Sequence, residues 1–171
     1  MNKNNIKIYI YPICLILLLS LSRMIPHPHN FTPILAVGVF SGFYFKEFFL
    51  GSLIVILSMF IGDLFLGFHS TMIFTYVSLV AAVSLGLLIK NLKITSILFT
   101  GISSSVIFYL VTNFGAWLTI PMYEKNFAGL IQSYVLAIPF FHNTLLSTLL
   151  YLVVIKLFFD FSIKRTAKIT S

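Results

Sequence analysis

The sequence predicts an all-α integral membrane protein with about six transmembrane helices, and three observations carry that prediction. Hydrophobic residues make up 59% of the chain and charged residues only 9%, with a mean hydropathy of +1.04. Soluble domains carry roughly a quarter charged residues, so the solvent for most of this surface is lipid. The apolar residues fall into long runs separated by short polar breaks. The 11 Lys and Arg residues, which set a net charge of +7, sit at the ends of those runs rather than in one patch. That placement reports membrane orientation and argues against nucleic acid as a partner. No composition shift divides the chain, so residues 1–171 read as a single transmembrane domain.

The first segment covers about 8–25. Lys3 and Lys7 precede it as in a signal peptide, but no small-x-small cleavage site follows, so it reads as a retained helix. The lone cysteine, Cys14, lies in this run and permits no internal disulfide. Segment two runs from Pro33 to Phe45, with Thr32 placed to cap it and Pro33 suited to the first helical position. It stops at Lys46-Glu47. The third segment covers about 48–68, and the fourth about 71–89, ending at Lys90 and Lys93. The fifth covers about 94–113, and the sixth about 143–160, opened by Asn143-Thr144.

The charges orient these segments. Lys3, Lys7, Lys46, Lys90, Lys93, Lys164, Arg165 and Lys168 fall on one side, against Arg23 and Lys125 on the other. By the positive-inside rule both termini are cytoplasmic, and the chain sits in the cell (inner) membrane. Two segments are too short for routine spans. Residues 33–45 give roughly 20 Å of helix against a hydrocarbon core of about 30 Å. Either this helix continues through Lys46-Glu47, or the chain before Pro33 dips below the outer surface as irregular backbone, tolerated only inside protein or along a watery cavity. Residues 126–141, NFAGLIQSYVLAIPFF, are apolar but broken by Pro139, as expected of a re-entrant or interfacial segment before the last helix.

In this topology the polar residues gather on the outer half. The stretch SRMIPHPHNFTP, residues 22–33, brings Arg23, His27, His29 and Asn30 into one proline-fixed segment. His69, Asn113, Trp117, Tyr123, Glu124, His142 and Asn143 lie on the same side. Asp63, in FIGDLFLGFH, is the most informative, because a carboxylate inside an apolar run costs about 2.5–3.5 kcal/mol and faces a cavity or a partner. A salt bridge to Arg23 and a direct ligand contact are both open and compatible. The expected binding set is therefore Arg23, His27, His29, Asn30, Asp63, His69, Asn113, Trp117 and Asn143. Arg23 would donate to an anionic group or orient Asp63, Asp63 and the asparagines would give directional hydrogen bonds, and the aromatics would stack.

Ser105, Tyr109, Thr112 and Asn113 share one helical face, as do Asn143, Ser147 and Tyr151. Small hydroxyl residues also serve helix packing in membranes. Gly38 and Gly42 form a GxxxG pair that asks for a close helix partner, in this chain or another subunit. The four histidines are of a type that suits zinc, nickel, cobalt or copper, but no HxxxH or HExxH spacing occurs and no cysteine accompanies them. No nucleotide-binding glycine loop, GxSxG or paired carboxylate is present, so neither catalysis nor a cofactor is expected.

Four phrases, SRMIPHPHNFTPI, GDLFLGFH, TNFGAW and AIPFFHNTLL, together resemble a family of small bacterial membrane proteins of uncharacterised function, over nearly the whole chain. That family in turn resembles the substrate-capturing S components of energy-coupling factor (ECF) transporters. The resemblance implies six helices, a vitamin-sized pocket near the outer face, and partnership with a transmembrane coupling subunit and cytoplasmic ATPases. S components commonly present an AxxxA-like motif on helix one; here helix one reads YPICLILLLSLSR, which lacks it, and Gly38/Gly42 is the pair that would substitute. The expected function is capture of a small, vitamin-like solute for uptake. The alternatives are a non-transporting envelope or accessory subunit, and a histidine-based transition-metal transporter.

Overall fold

Seven helices and no strand form among the described residues of the computed structural model, which describes positions 3–91 and 93–169, with side chains at 13–91 and 93–161. They are α1 (Lys3–Ser22), α2 (Ile34–Phe45), α3 (Phe48–Leu66), α4 (Met72–Leu87), α5 (Ile94–Thr119), α6 (Phe127–Leu136) and α7 (Ile138–Ile169). Among the described residues, three stretches are long and apolar enough to cross a membrane: α3, α5 and residues Ile138–Phe161 of α7. Of the charges that orient the chain, Lys3, Lys7, Lys164, Arg165 and Lys168 lie outside the described side chains.

The bundle is apolar outside, and its interior combines an apolar core around Leu35, Val55, Leu79 and Val83 with buried hydroxyl side chains. Between Phe99 and Leu118 the exposed side chains of α5 are Phe99, Ile102, Val106, Leu110, Phe114 and Leu118, one continuous stripe at helical spacing. Its buried side carries Ile97, Gly101, Ser104 and Ser105. The last helix repeats the pattern, with Leu146, Leu150, Val154 and Leu157 outward and Thr144, Ser147, Thr148 and Leu152 buried. Water would not tolerate so large an apolar exterior, whereas hydrocarbon does.

The first helix packs on α3, where Ser20 Oγ donates to the Ser58 carbonyl at 3.1 Å. Helix α2 is central, touching α3, α4, α5 and α7. Its tightest neighbour is α4. A Cβ on Gly42 would strike the Val83 carbonyl, and one on Gly86 would strike the Val39 carbonyl, so each helix needs a glycine where the other's backbone passes. Gly38, one turn away, meets only Val55 and Ala82 side chains and the Leu79 carbonyl at ordinary distances. Both glycines of the GxxxG pair are thus covered by this chain's own helices.

Helices α1 to α5 alternate in direction, whereas α6 and α7 both run back along α5, with Tyr134 and Phe141 against Tyr109 and Leu152 against Gly101. The ends of α1, α3 and α5 meet the starts of α2, α4 and α7 around Arg23, Asp63 and Tyr76. At the other end, Lys46 Nζ donates to the carbonyls of Ile89 at 2.6 Å and Leu87 at 3.3 Å. Phe159 of α7 there packs edge-on against Phe40 and Tyr44 of α2, at 5.7 and 5.9 Å.

Several boundaries differ from the sequence reading, each for a local reason. The short α2 does not continue through Lys46-Glu47: Lys46 turns left-handed at φ 52°, and Glu47 caps α3 by accepting from the N–H groups of Phe49 and Leu50. Pro33, not Thr32, precedes the first helical residue, and the Thr32 hydroxyl caps nothing. α5 runs six residues past 113, to Thr119. Helix α7 starts at Ile138 rather than at 143, with Pro139 in its first turn, where the missing N–H removes no helical bond. The apolar stretch before it folds as the ten-residue α6, capped by Asn126 Oδ1 accepting from Gly129 N–H at 2.9 Å.

Candidate functional site

Residues 23–33, between α1 and α2, form no regular element. Their shape comes from a few contacts. Asn30 adopts a left-handed φ of 62°, which asparagine tolerates better than most residues. Phe31 N–H bonds the Pro28 carbonyl at 2.9 Å. One face of α7 then holds the segment: Asn143 Nδ2 donates to the His29 carbonyl at 3.0 Å, and Ser147 Oγ, whose proton goes mainly to the Thr144 carbonyl of its own helix at 3.0 Å, lies 3.4 Å from the Asn30 carbonyl. Phe140 meets the His29 ring edge-on at 5.8 Å, and Tyr151 packs against Phe31 at 6.3 Å. The polar face of the last helix is therefore a clamp on the irregular segment. Asn143→Leu is expected to cost about 1 kcal/mol locally, speeding amide hydrogen exchange at Phe31 about fivefold while leaving the core of α3 unchanged.

Under this segment lies a cavity of about 640 Å³. The irregular segment contributes Arg23, His27, His29, Asn30 and Thr32 to its wall. Leu35, Met59, His69 and Thr75 line it from α2, α3 and α4 with the loop between them. From α5 and the loop after it come Phe108, Thr112, Asn113 and Tyr123, and from α7 come Phe140, Thr144, Ser147 and Thr148.

Asp63 is placed differently. It is wholly buried and absent from the cavity wall, standing behind Arg23. Arg23 Nη2 lies 2.8 Å from Asp63 Oδ1 as an ion pair, and Arg23 Nη1 donates to the Met59 carbonyl at 2.8 Å. Tyr76 OH donates to Asp63 Oδ2 at 2.8 Å, while His69 Nε2 stays 4.0 Å from that oxygen. Gly62 makes the pairing possible. A Cβ there would fall on the guanidinium, so only glycine leaves a path across α3. The pair ties α1 to α3 and presents only the arginine to the cavity.

Of the expected binding set, the fold brings Arg23, His27, His29, Asn30, His69 and Asn113 together on one wall. It does not bring Asp63, Trp117 or Asn143 there. Trp117 Nε1 donates to the Glu124 carbonyl at 2.9 Å, and Lys125 Nζ bonds the Trp117 and Ile120 carbonyls, so these residues shape the loop carrying Tyr123. Tyr109, grouped by spacing with Asn113, instead reaches the Tyr134 carbonyl on α6 at 2.7 Å. The threonines at 75, 144 and 148 and Tyr76 were not in the expected set. Their only sequence signal is hydroxyl groups in apolar helices, which packing explains equally well. Among the described residues, no three His, Cys, Asp or Glu side chains are grouped to hold a metal ion.

An apolar exterior around a clamped cavity lined by both apolar and polar side chains defines a helical membrane protein with an internal cavity. The chain belongs to the family of unknown function DUF6580, whose model matches residues 2–169. No curated protein and no solved structure matches it.

Proposed function

We propose that the protein is a membrane subunit that captures a small solute for uptake, with six helices crossing the inner membrane, both termini cytoplasmic and the cavity facing outward. The carrying observation is the 640 Å³ cavity, within the roughly 300–1,000 Å³ range of small-molecule sites. Its wall comes from six helices and an irregular segment held by contacts 114 and 117 residues apart in sequence. Thr148 adds support, being fully buried and on the wall, with a hydroxyl that has no partner among the described residues. Such a group costs about 1–3 kcal/mol, which a bound solute recovers.

In this arrangement α1 to α5 and α7 cross, α6 is a re-entrant segment running from the outer side back along α5 to Tyr109 and Leu110, and Lys46, Lys90 and Lys93 mark the cytoplasmic end. The chain supplies a site but no engine, so a transmembrane coupling subunit and cytoplasmic ATPases would provide the energy, as in ECF transporters. Docking of that partner through Gly38 and Gly42 is not part of the proposal, since α4 covers both.

Native mass spectrometry of protein released gently from its own membrane tests the reading. The expected result is an organic mass that leaves on activation, with an ATPase module co-isolating. Protein that arrives empty, binds no solute from a broad metabolite panel and holds only a non-ATPase partner would overturn it.

A further inference from the structure

The cavity exists because α2 stops short. Its 12 residues give roughly 18 Å of helix, whereas the 19 of α3, which starts beside the end of α2, give roughly 28 Å. Helix α2 is also the central one, packed on α3, α4, α5 and α7. Past its first residue α3 runs on by about 10 Å. The space left among the neighbours is the cavity, and Thr32, Ile34 and Leu35 line it at the start of α2. The positive end of a helix dipole therefore points into the chamber. That end is uncapped. Pro33 has no N–H, and the first helical bond runs from Val37 N–H to the Pro33 carbonyl at 2.9 Å. Among the described residues, the N–H groups of Ile34, Leu35 and Ala36 meet no acceptor from backbone or side chain. All three residues are buried, and buried N–H groups left open call for a bound acceptor.

A second, independent group on the same wall is open. The Thr148 hydroxyl on α7 is wholly buried and has no partner among the described residues. Arg23 lines the wall too, and keeps N–H groups beyond those that bind Asp63 and the Met59 carbonyl. Among the described residues no Asp or Glu stands on the wall to repel an anion. The other hydroxyls, amides and imidazoles there can donate or accept, so they set no sign; the helix end does. We infer that the captured solute is an organic acid carrying one carboxylate, which accepts from the N–H groups at the start of α2, with Arg23 and Thr148 as further donors; this rests on the capture reading above. Leu35, Met59, Phe108 and Phe140 would flank its apolar body. A phosphate ester fits less well. Its second charge would face a helix end worth roughly half an elementary charge and an arginine already offset by Asp63.

Calorimetric titration of the full chain in lipid nanodiscs tests this with indoleacetate, phenylpropanoate and hexanoate, each against its primary amide, and with phenethyl phosphate. At least one acid is expected to bind, with its amide weaker by about tenfold or more and the phosphate no tighter. The decisive variant is Thr32→Asp, which brings a carboxylate of the protein's own to the uncapped N–H groups. It is expected to weaken the acid by about tenfold or more while keeping or raising the unfolding midpoint, because an acidic cap stabilises the helix it closes. Thr32→Asn, a neutral cap for the same groups, is the second variant and should weaken the acid about threefold. An amide that binds as tightly as its acid overturns the inference. So does a phosphate that binds more tightly, or a pair of folded Thr32 variants with unchanged affinity. Where no acid binds, the organic mass carried by the native protein decides. A mass that gains a single methyl ester on esterification supports the inference, and a neutral or cationic mass overturns it while leaving capture intact. Absence of both a native organic mass and any probe binding would remove both readings.

Discussion

Asp63→Ala is expected to lose about 3–5 kcal/mol of stability, because it strands the Arg23 guanidinium in a largely buried position without its counter-ion. In a chain of this size that is a fall of roughly 6–20 °C in the midpoint of thermal unfolding, measured in detergent micelles. Tyr76 loses its acceptor in the same variant. Asp63→Asn keeps an acceptor for Tyr76 but not the charge, and should fall between the two. Replacing both charges, as Arg23→Met/Asp63→Leu, should restore most of the loss, since a desolvated ion pair often contributes little over well-packed apolar groups. An Asp63→Ala midpoint equal to that of the parent would mean that the pair does not tie α1 to α3.

The second large effect falls on the α2–α4 contact. Alanine at Gly42 or Gly86 places a methyl group against a carbonyl of the opposing helix, which cannot move without its own hydrogen bonds. Overpacking of this kind costs about 1–3 kcal/mol. Gly38→Ala is the internal control, as its methyl group would meet neighbours at 3.5–3.6 Å and should be tolerated. The comparison is read from unfolding midpoints of the three single variants. Equal losses at all three positions would mean that the cost is not the backbone contact.

Much of this architecture was legible in the residues. Long apolar runs and their basic ends locate most of the helices, because lipid requires length and hydropathy more than any fine pattern. The ends were harder to read. The fifth segment is bounded at about 113 in the sequence, yet α5 continues to Thr119 because its polar side chains turn to the cavity and the following loop. Pro139 looked like a break within an apolar stretch and is instead the opening of α7.

The candidate site was half legible. Residues 22–33 stand out by composition alone. Asp63 stands out by charge, but its position behind Arg23 depends on the path left by Gly62, which only the packing of α1 on α3 reveals. The threonines of the wall carry no signal of their own. A threonine bonding its own helix four residues back looks the same in sequence whether it faces a neighbouring helix or an open space.

The clamp on the irregular segment has a consequence for biosynthesis. The Asn143 amide that holds the His29 carbonyl is made 114 residues later. At translation rates of about 5–20 residues per second, that is a delay of roughly 6–23 s. Through that interval α1 to α5 can meet while residues 23–33 still lack their partners on α7. Helix α7 is thus the piece that turns an open bundle into a walled chamber.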